Sequence, residues 1–210
     1  MSNNDTSSLL SDVRHAYRLL FQFQTRILNL SKIIGNSFNL NYAGGYPQFS
    51  AAAPKNGKGS LDNWGWDWLN MYYYEFHFNG TQIGNLKINF SIFLLTDTGY
   101  FDCDPERKGS NAHSNKQLEV ENFNSVKDSK SKLIFQLGYS DAWMTKPRDS
   151  DFTNALTRKG EWQLNDKNII FKHYDLKEFA DEQSTKSVIN DFRKYALEHG
   201  FELAQIQVGN

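Results

Sequence analysis

The sequence predicts an α+β fold: a mainly antiparallel sheet of about five strands, with a long N-terminal helix and a C-terminal helix packed on it. Three observations predict it. A heptad-spaced apolar seam opens the chain, aromatic stretches of alternating pattern follow, and strand-like and helix-like segments do not alternate as a parallel sheet would require. Aromatic residues make up 15% of the 210 residues (16 Phe, 10 Tyr, 5 Trp), and such side chains bury large area and favour strands. A chain of this length can bury a sizeable core, and it reads as one domain over residues 1–210.

The first element is the plainest. Leu9, Val13, Ala16, Leu20, Phe23, Ile27, Leu30 and Ile34 follow one another in alternating steps of four and three, and Gly35 stands after the last. That seam predicts a helix over about 8–34. Leu10, Tyr17, Phe21 and Leu28 widen the stripe beyond two positions per heptad, which suits packing on a sheet or within a helical layer. The partner of this helix is its own sheet or a second copy, so the 8–34 helix is a candidate for homo-oligomer formation.

Residues 36–63 lose periodicity and are rich in Gly and Asn, which predicts a long loop. Its aromatics, among them Tyr42, Tyr46 and Phe49, suit a segment that packs down. In "WGWDWLNMYYYEFHF" (64–78) the even positions carry Trp64, Trp66, Trp68, Tyr72, Tyr74, Phe76 and Phe78. A strand over all of it would be too long, so a break is expected near Leu69-Asn70. Asn79-Gly80 then reads as a two-residue hairpin turn. Pairing through it sets Phe76 opposite Ile83, and an expected bulge at Gly84-Asn85 brings Tyr74 opposite Leu86.

Residues 102–132 are charged and Ser/Asn-rich and read as a mobile insertion. "LIFQLGY" (133–139) is a strand, and "EWQL" with "NIIFKHY" forms a second hairpin. Asp175 and Glu178 have capping-box spacing, a final helix spans about 184–199, and Gly200 is placed to end it.

Composition excludes several function classes. A net charge of −1 argues against a general nucleic-acid binder, although residues 1–60 carry +4 and residues 61–210 carry −5. The single cysteine, Cys103, rules out an intrachain disulfide. The first residues lack the pattern of a signal peptide, and no stretch is apolar for long enough to span a bilayer. A cytoplasmic protein without membrane contact is expected.

Candidate chemistry is sparse, and no cofactor motif is present. "APKNGKGS" fails as a phosphate loop, because Ala52 replaces the first glycine and Gly59 separates Lys58 from Ser60. Asp102, Asp104 and Glu106 offer carboxylates of the kind that hold a divalent cation, in a metal-dependent, nuclease-like reading, but on a flexible stretch. Glu75 and His77 share the strand face opposite the even aromatics; lining a cleft, Glu75 would set the tautomer of His77 for hydrolytic acid–base work. Arg14, Arg18, Arg26 and Lys32 lie off the apolar seam as a basic face. With exposed rings they would suit single-stranded nucleic acid, yet residues 64–78 carry no Lys or Arg.

The expected function is therefore protein binding, as an adaptor, inhibitor or immunity-type module with a protein partner. Its surface would combine Tyr42, Tyr46 and Phe49 with Trp64 and Trp66, residue types that dominate interface energetics. The rivals are an enzyme centred on Glu75/His77 or Asp102/Asp104, and a binder of single-stranded nucleic acid or a small ligand.

Overall fold

A computed structural model describes residues 3–47, 71–83, 86–99, 123–139, 161–164 and 169–203. Helix α1 (Asn3–Ser37) leads into strand β1 (Asn41–Pro47), followed by β2 (Tyr73–Ile83), β3 (Leu86–Leu95), β4 (Lys132–Tyr139), β5 (Glu161–Leu164) and β6 (Ile169–Asp175). A 3-10 turn (Leu176–Phe179) then leads into helix α2 (Glu182–Glu198). The six strands form one sheet in the order β1-β2-β3-β4-β6-β5, every neighbouring pair antiparallel. The fold is the α+β architecture that the sequence predicts.

Alternation places the two helices. Tyr74, Phe76 and Phe78 of β2, Phe90, Ile92 and Leu94 of β3, and Leu133, Phe135 and Leu137 of β4 point to one face, as period-two geometry requires. Ile27, Leu30 and Ile34 of α1 and Val188, Ile189 and Phe192 of α2 join them in a single core. Phe90 sits at its centre, with the rings of Phe38, Phe78, Phe135 and Phe192 at centroid distances of 5.2, 5.8, 5.5 and 5.8 Å.

α1 runs through Gly35 instead of stopping before it, and ends where Asn39 takes a positive φ of 54°. Gly35 has a packing role: a Cβ there would lie 2.5 Å from Cε1 of Phe78. Arg26 donates to the carbonyls of Phe179 and Ala180, each at 2.9 Å, and Arg193 donates to the carbonyl of Ser37, so α1 is tied to the turn before α2 and to α2 itself. α2 follows its sequence signals. The Asp181 carboxylate accepts from Ser184 N at 2.8 Å, and Gly200, at φ 81°, follows its last turn.

Three expectations need correction. Part of the predicted 36–63 loop is β1, the sixth strand. Its "NYAGGYP" has weak strand propensity, but Gly44 at φ 128° takes up a register shift after Tyr42, and a side chain on Gly45 would strike the Glu75 carbonyl. Secondly, Asn79-Gly80 is not the hairpin turn. β2 runs on through it, Ile83 pairs with Leu86, and the irregularity falls between Asn79 and Gln82. Tyr74 thus meets Leu94, Phe76 meets Ile92 and Phe78 meets Phe90, so that apolar side chains of the two strands stand opposite one another on the core face without a bulge at Gly84-Asn85 to align them. Thirdly, the 123–131 part of the supposed mobile insertion is pinned. Thr98 N donates to Lys130 O at 3.0 Å, Ser131 Oγ to Thr96 O at 2.6 Å and Ser129 Oγ to Ser125 O at 3.0 Å. The serines that resemble a disordered composition close turns instead.

Candidate functional site

The sheet face turned away from the helices carries Glu75 and His77. They alternate with the core aromatics of β2, so the same pleat that buries Phe76 aims both of them to the other side. His77 pairs across the ladder with Ser91 of β3. The His77 Nδ1 lies 2.8 Å from Ser91 Oγ, and its Nε2 lies 3.0 Å from Glu75 Oε2. With Nε2 protonated toward the carboxylate, Nδ1 accepts from the serine hydroxyl: the order carboxylate, imidazole, hydroxyl is that of a general-base relay.

Burial decides what this relay can do. Glu75 is 0% exposed, His77 3% and Ser91 5%. Tyr73, Phe93, Ile134, Gln136 and Phe171 on the same face are buried as well. The predicted cleft beside Glu75 and His77 is a packed layer, and Ser91 Oγ is closed to an incoming carbonyl. In this conformation the three side chains bridge β2 and β3 inside the layer.

The other predicted site residues are placed as follows. Tyr42 is 58% exposed on β1, its ring 5.6 Å from that of Phe78. Burial of its hydroxyl and the neighbouring Tyr74 hold its pKa above the ordinary tyrosine value. Tyr46 pairs with Glu75 through its backbone. Phe49, Trp64, Trp66, Asp102, Asp104 and Glu106 lie outside the described residues, and among those described no cluster of three His, Cys, Asp or Glu could hold a metal ion. Arg14, Arg18 and Lys32 are exposed on α1, whereas Arg26 is engaged by the two carbonyls before α2. The four basic residues do not form one free stripe. An open cleft of about 500 Å³ lies between α2 and residues 201–203, lined by Asn190, Arg193, Lys194, Leu197 and Phe201, and among the described residues no hydroxyl, thiol or imidazole lines it.

A model of the PM0109 family matches residues 3–203. The chain belongs to that family. No curated protein and no solved structure matches it.

This family match takes in α1 from its first residue, and α1 carries a feature that periodicity alone does not decide. The seam of eight residues divides in two. Ile27, Leu30 and Ile34 are buried in the core, but Leu9, Val13 and Leu20, on the same stripe, are exposed, with Leu10, Tyr17 and Phe21 beside them. Tyr17 and Phe21 are 71% and 72% exposed. Residues 3–26 form a helix about 36 Å long, at 1.5 Å per residue, in which no residue of known exposure is buried. No described helix is long and apolar enough to cross a membrane.

Proposed function

We propose that the chain is a protein-binding module, an adaptor, inhibitor or immunity-type protein, and that its docking element is the N-terminal half of α1. The observation that carries this reading is the exposed stripe of Leu9, Leu10, Val13, Tyr17, Leu20 and Phe21 on a helix that continues into the core. Monomeric proteins seldom leave contiguous apolar patches above a few hundred Å² in water, and larger ones mark interaction surfaces. Helices also gain most of their stability from packing an apolar face, and among the described residues none buries this half. Tyr42, exposed on strand β1, supplies a second ring of the kind that anchors interfaces. The hydrolytic alternative rests on Glu75, His77 and Ser91, whose burial argues against it.

The test is capture of partners by tagged protein from lysate of its host, supplemented with untagged chain and treated with nuclease. Wild type is expected to retain a stoichiometric protein that a Leu9→Asp/Leu20→Asp variant releases. Equal capture by both, or by neither, would remove the assignment.

A further inference from the structure

We infer that the occupant of the α1 stripe is a second copy of this chain, and that the two helices pair antiparallel over residues 9–20. The inference rests on the binding reading above and names its partner.

Continuity of the seam is the first support. The steps of four and three that bury Ile27, Leu30 and Ile34 against the sheet continue without a break through Phe23, Leu20, Ala16, Val13 and Leu9. In heptad terms Val13 and Leu20 hold one seam position, and Leu9, Ala16 and Phe23 the other. Such a seam suits a helix carrying the same seam.

Direction follows from where the domain body begins. At Ile27 the seam turns onto its own sheet, so the face that would meet a second helix is already occupied. In a parallel pair the two bodies would lie on facing seams at the same level and collide. In an antiparallel pair the bodies lie at opposite ends.

Register follows from reciprocity. Antiparallel seams stack one position on the other, and a two-fold axis between Arg14 and His15 matches every exposed seam residue. Leu9 then meets Leu20 of the second copy and Val13 meets Ala16, while Phe23, partly buried against its own core, lies beyond the pair. On the shoulder, Leu10 falls beside Tyr17. The paired stretch ends where burial begins, and Arg14 and Arg18 lie off the seam, so they do not meet their counterparts. By their fractional exposures, Leu9, Leu10, Val13, Tyr17, Leu19 and Leu20 offer on the order of 600 Å² per helix, about three-quarters of the roughly 800 Å² per partner of a standard interface.

The experiment uses the full chain at about 100 µM. Light scattering should give twice the 24.3 kDa chain mass, falling to the single mass in Leu20→Asp and, independently, in Val13→Asp, with the thermal transition of the body retained. In a Cys103→Ser background, oxidation should cross-link the double variant Val13→Cys/Ala16→Cys, and leave Leu9→Cys alone unlinked because its counterpart is Leu20. Efficient cross-linking of Leu9→Cys alone would mean parallel helices and would overturn the proposal, as would a wild-type chain of single mass. A wild type of single mass that still captures another protein through Leu9 and Leu20 would overturn the second copy and leave the docking surface standing. A wild type of single mass that captures nothing would remove both.

Discussion

Leu20 and Ile27 hold the same position in successive heptads of α1, yet Leu20 is 39% exposed and Ile27 1%. One heptad, about two helical turns, separates a helix face in the core from a face in water. The first consequence is a sharp boundary in mutational cost. Ile27→Ala should destabilise the chain by about 2–5 kcal/mol, the range for truncating a buried aliphatic side chain. Leu20→Ala should change the stability of the dilute chain by under about 0.5 kcal/mol, as surface substitutions do. Urea unfolding at low micromolar concentration checks both.

Gly35 and Phe78 set the distance between α1 and the sheet. Gly35→Ala would put a methyl group 2.5 Å from the Phe78 ring, which is 2% exposed and has no space to retreat. A loss of about 1–3 kcal/mol is expected, the usual cost of overpacking. Phe78→Leu in the same chain should return part of it, a coupling that a double-mutant cycle reads directly.

The buried relay should behave as structure. His77→Ala leaves the Glu75 carboxylate buried without its imidazole, and a loss of about 3–5 kcal/mol is expected, as for other broken buried pairs. Ser91→Ala removes one neutral hydrogen bond, at about 1 kcal/mol. A serine-directed fluorophosphonate should leave Ser91 unlabelled in the folded chain; mass spectrometry of the treated protein checks it.

Asp191 gives the fold a pH dependence. Burial raises its pKa, but Lys172 at 2.8 Å, Tyr174 at 2.7 Å and the more distant Lys194 outweigh that and hold the carboxyl below the ordinary aspartate value. A lowered folded pKa means stability that is present above the unfolded pKa and lost as the pH falls through the folded one. Wild type should exceed Asp191→Asn by about 0.5–1 kcal/mol at pH 7, allowing for a half-exposed side chain, and the gap should close in the acid range below the unfolded value. Parallel melts at pH 7 and pH 3 measure it.

Much of this architecture is legible in the sequence, for local reasons. The α1 seam, the Asp175/Glu178 capping box, Gly200 and the even-numbered aromatic face are encoded by neighbours a few positions apart. Asp175 N, for example, donates to Glu178 Oε1 at 2.7 Å, as the spacing suggested. What was lost depends on distant partners. Asn79-Gly80 carries the hairpin signal, but the preference for pairing Phe76 with Ile92 and Phe78 with Phe90 overrides it. That one register also hid Ser91: with the turn at 79–80, Ser91 is far from His77, and with the true pairing it is the cross-strand neighbour. β1 went unseen because its glycines serve a close approach to β2, which no local pattern records. Nor does any periodicity tell that the seam joins the core only from Ile27 onward.

Amide hydrogen exchange along α1, in wild type and Leu20→Asp at the same high concentration, tests the central claim most directly. The account predicts slow exchange over residues 27–37 in both proteins. Over residues 9–23 it predicts protection in wild type and rapid exchange in Leu20→Asp, because only a docked partner holds that half. Equally rapid exchange over residues 9–23 in both proteins would contradict it.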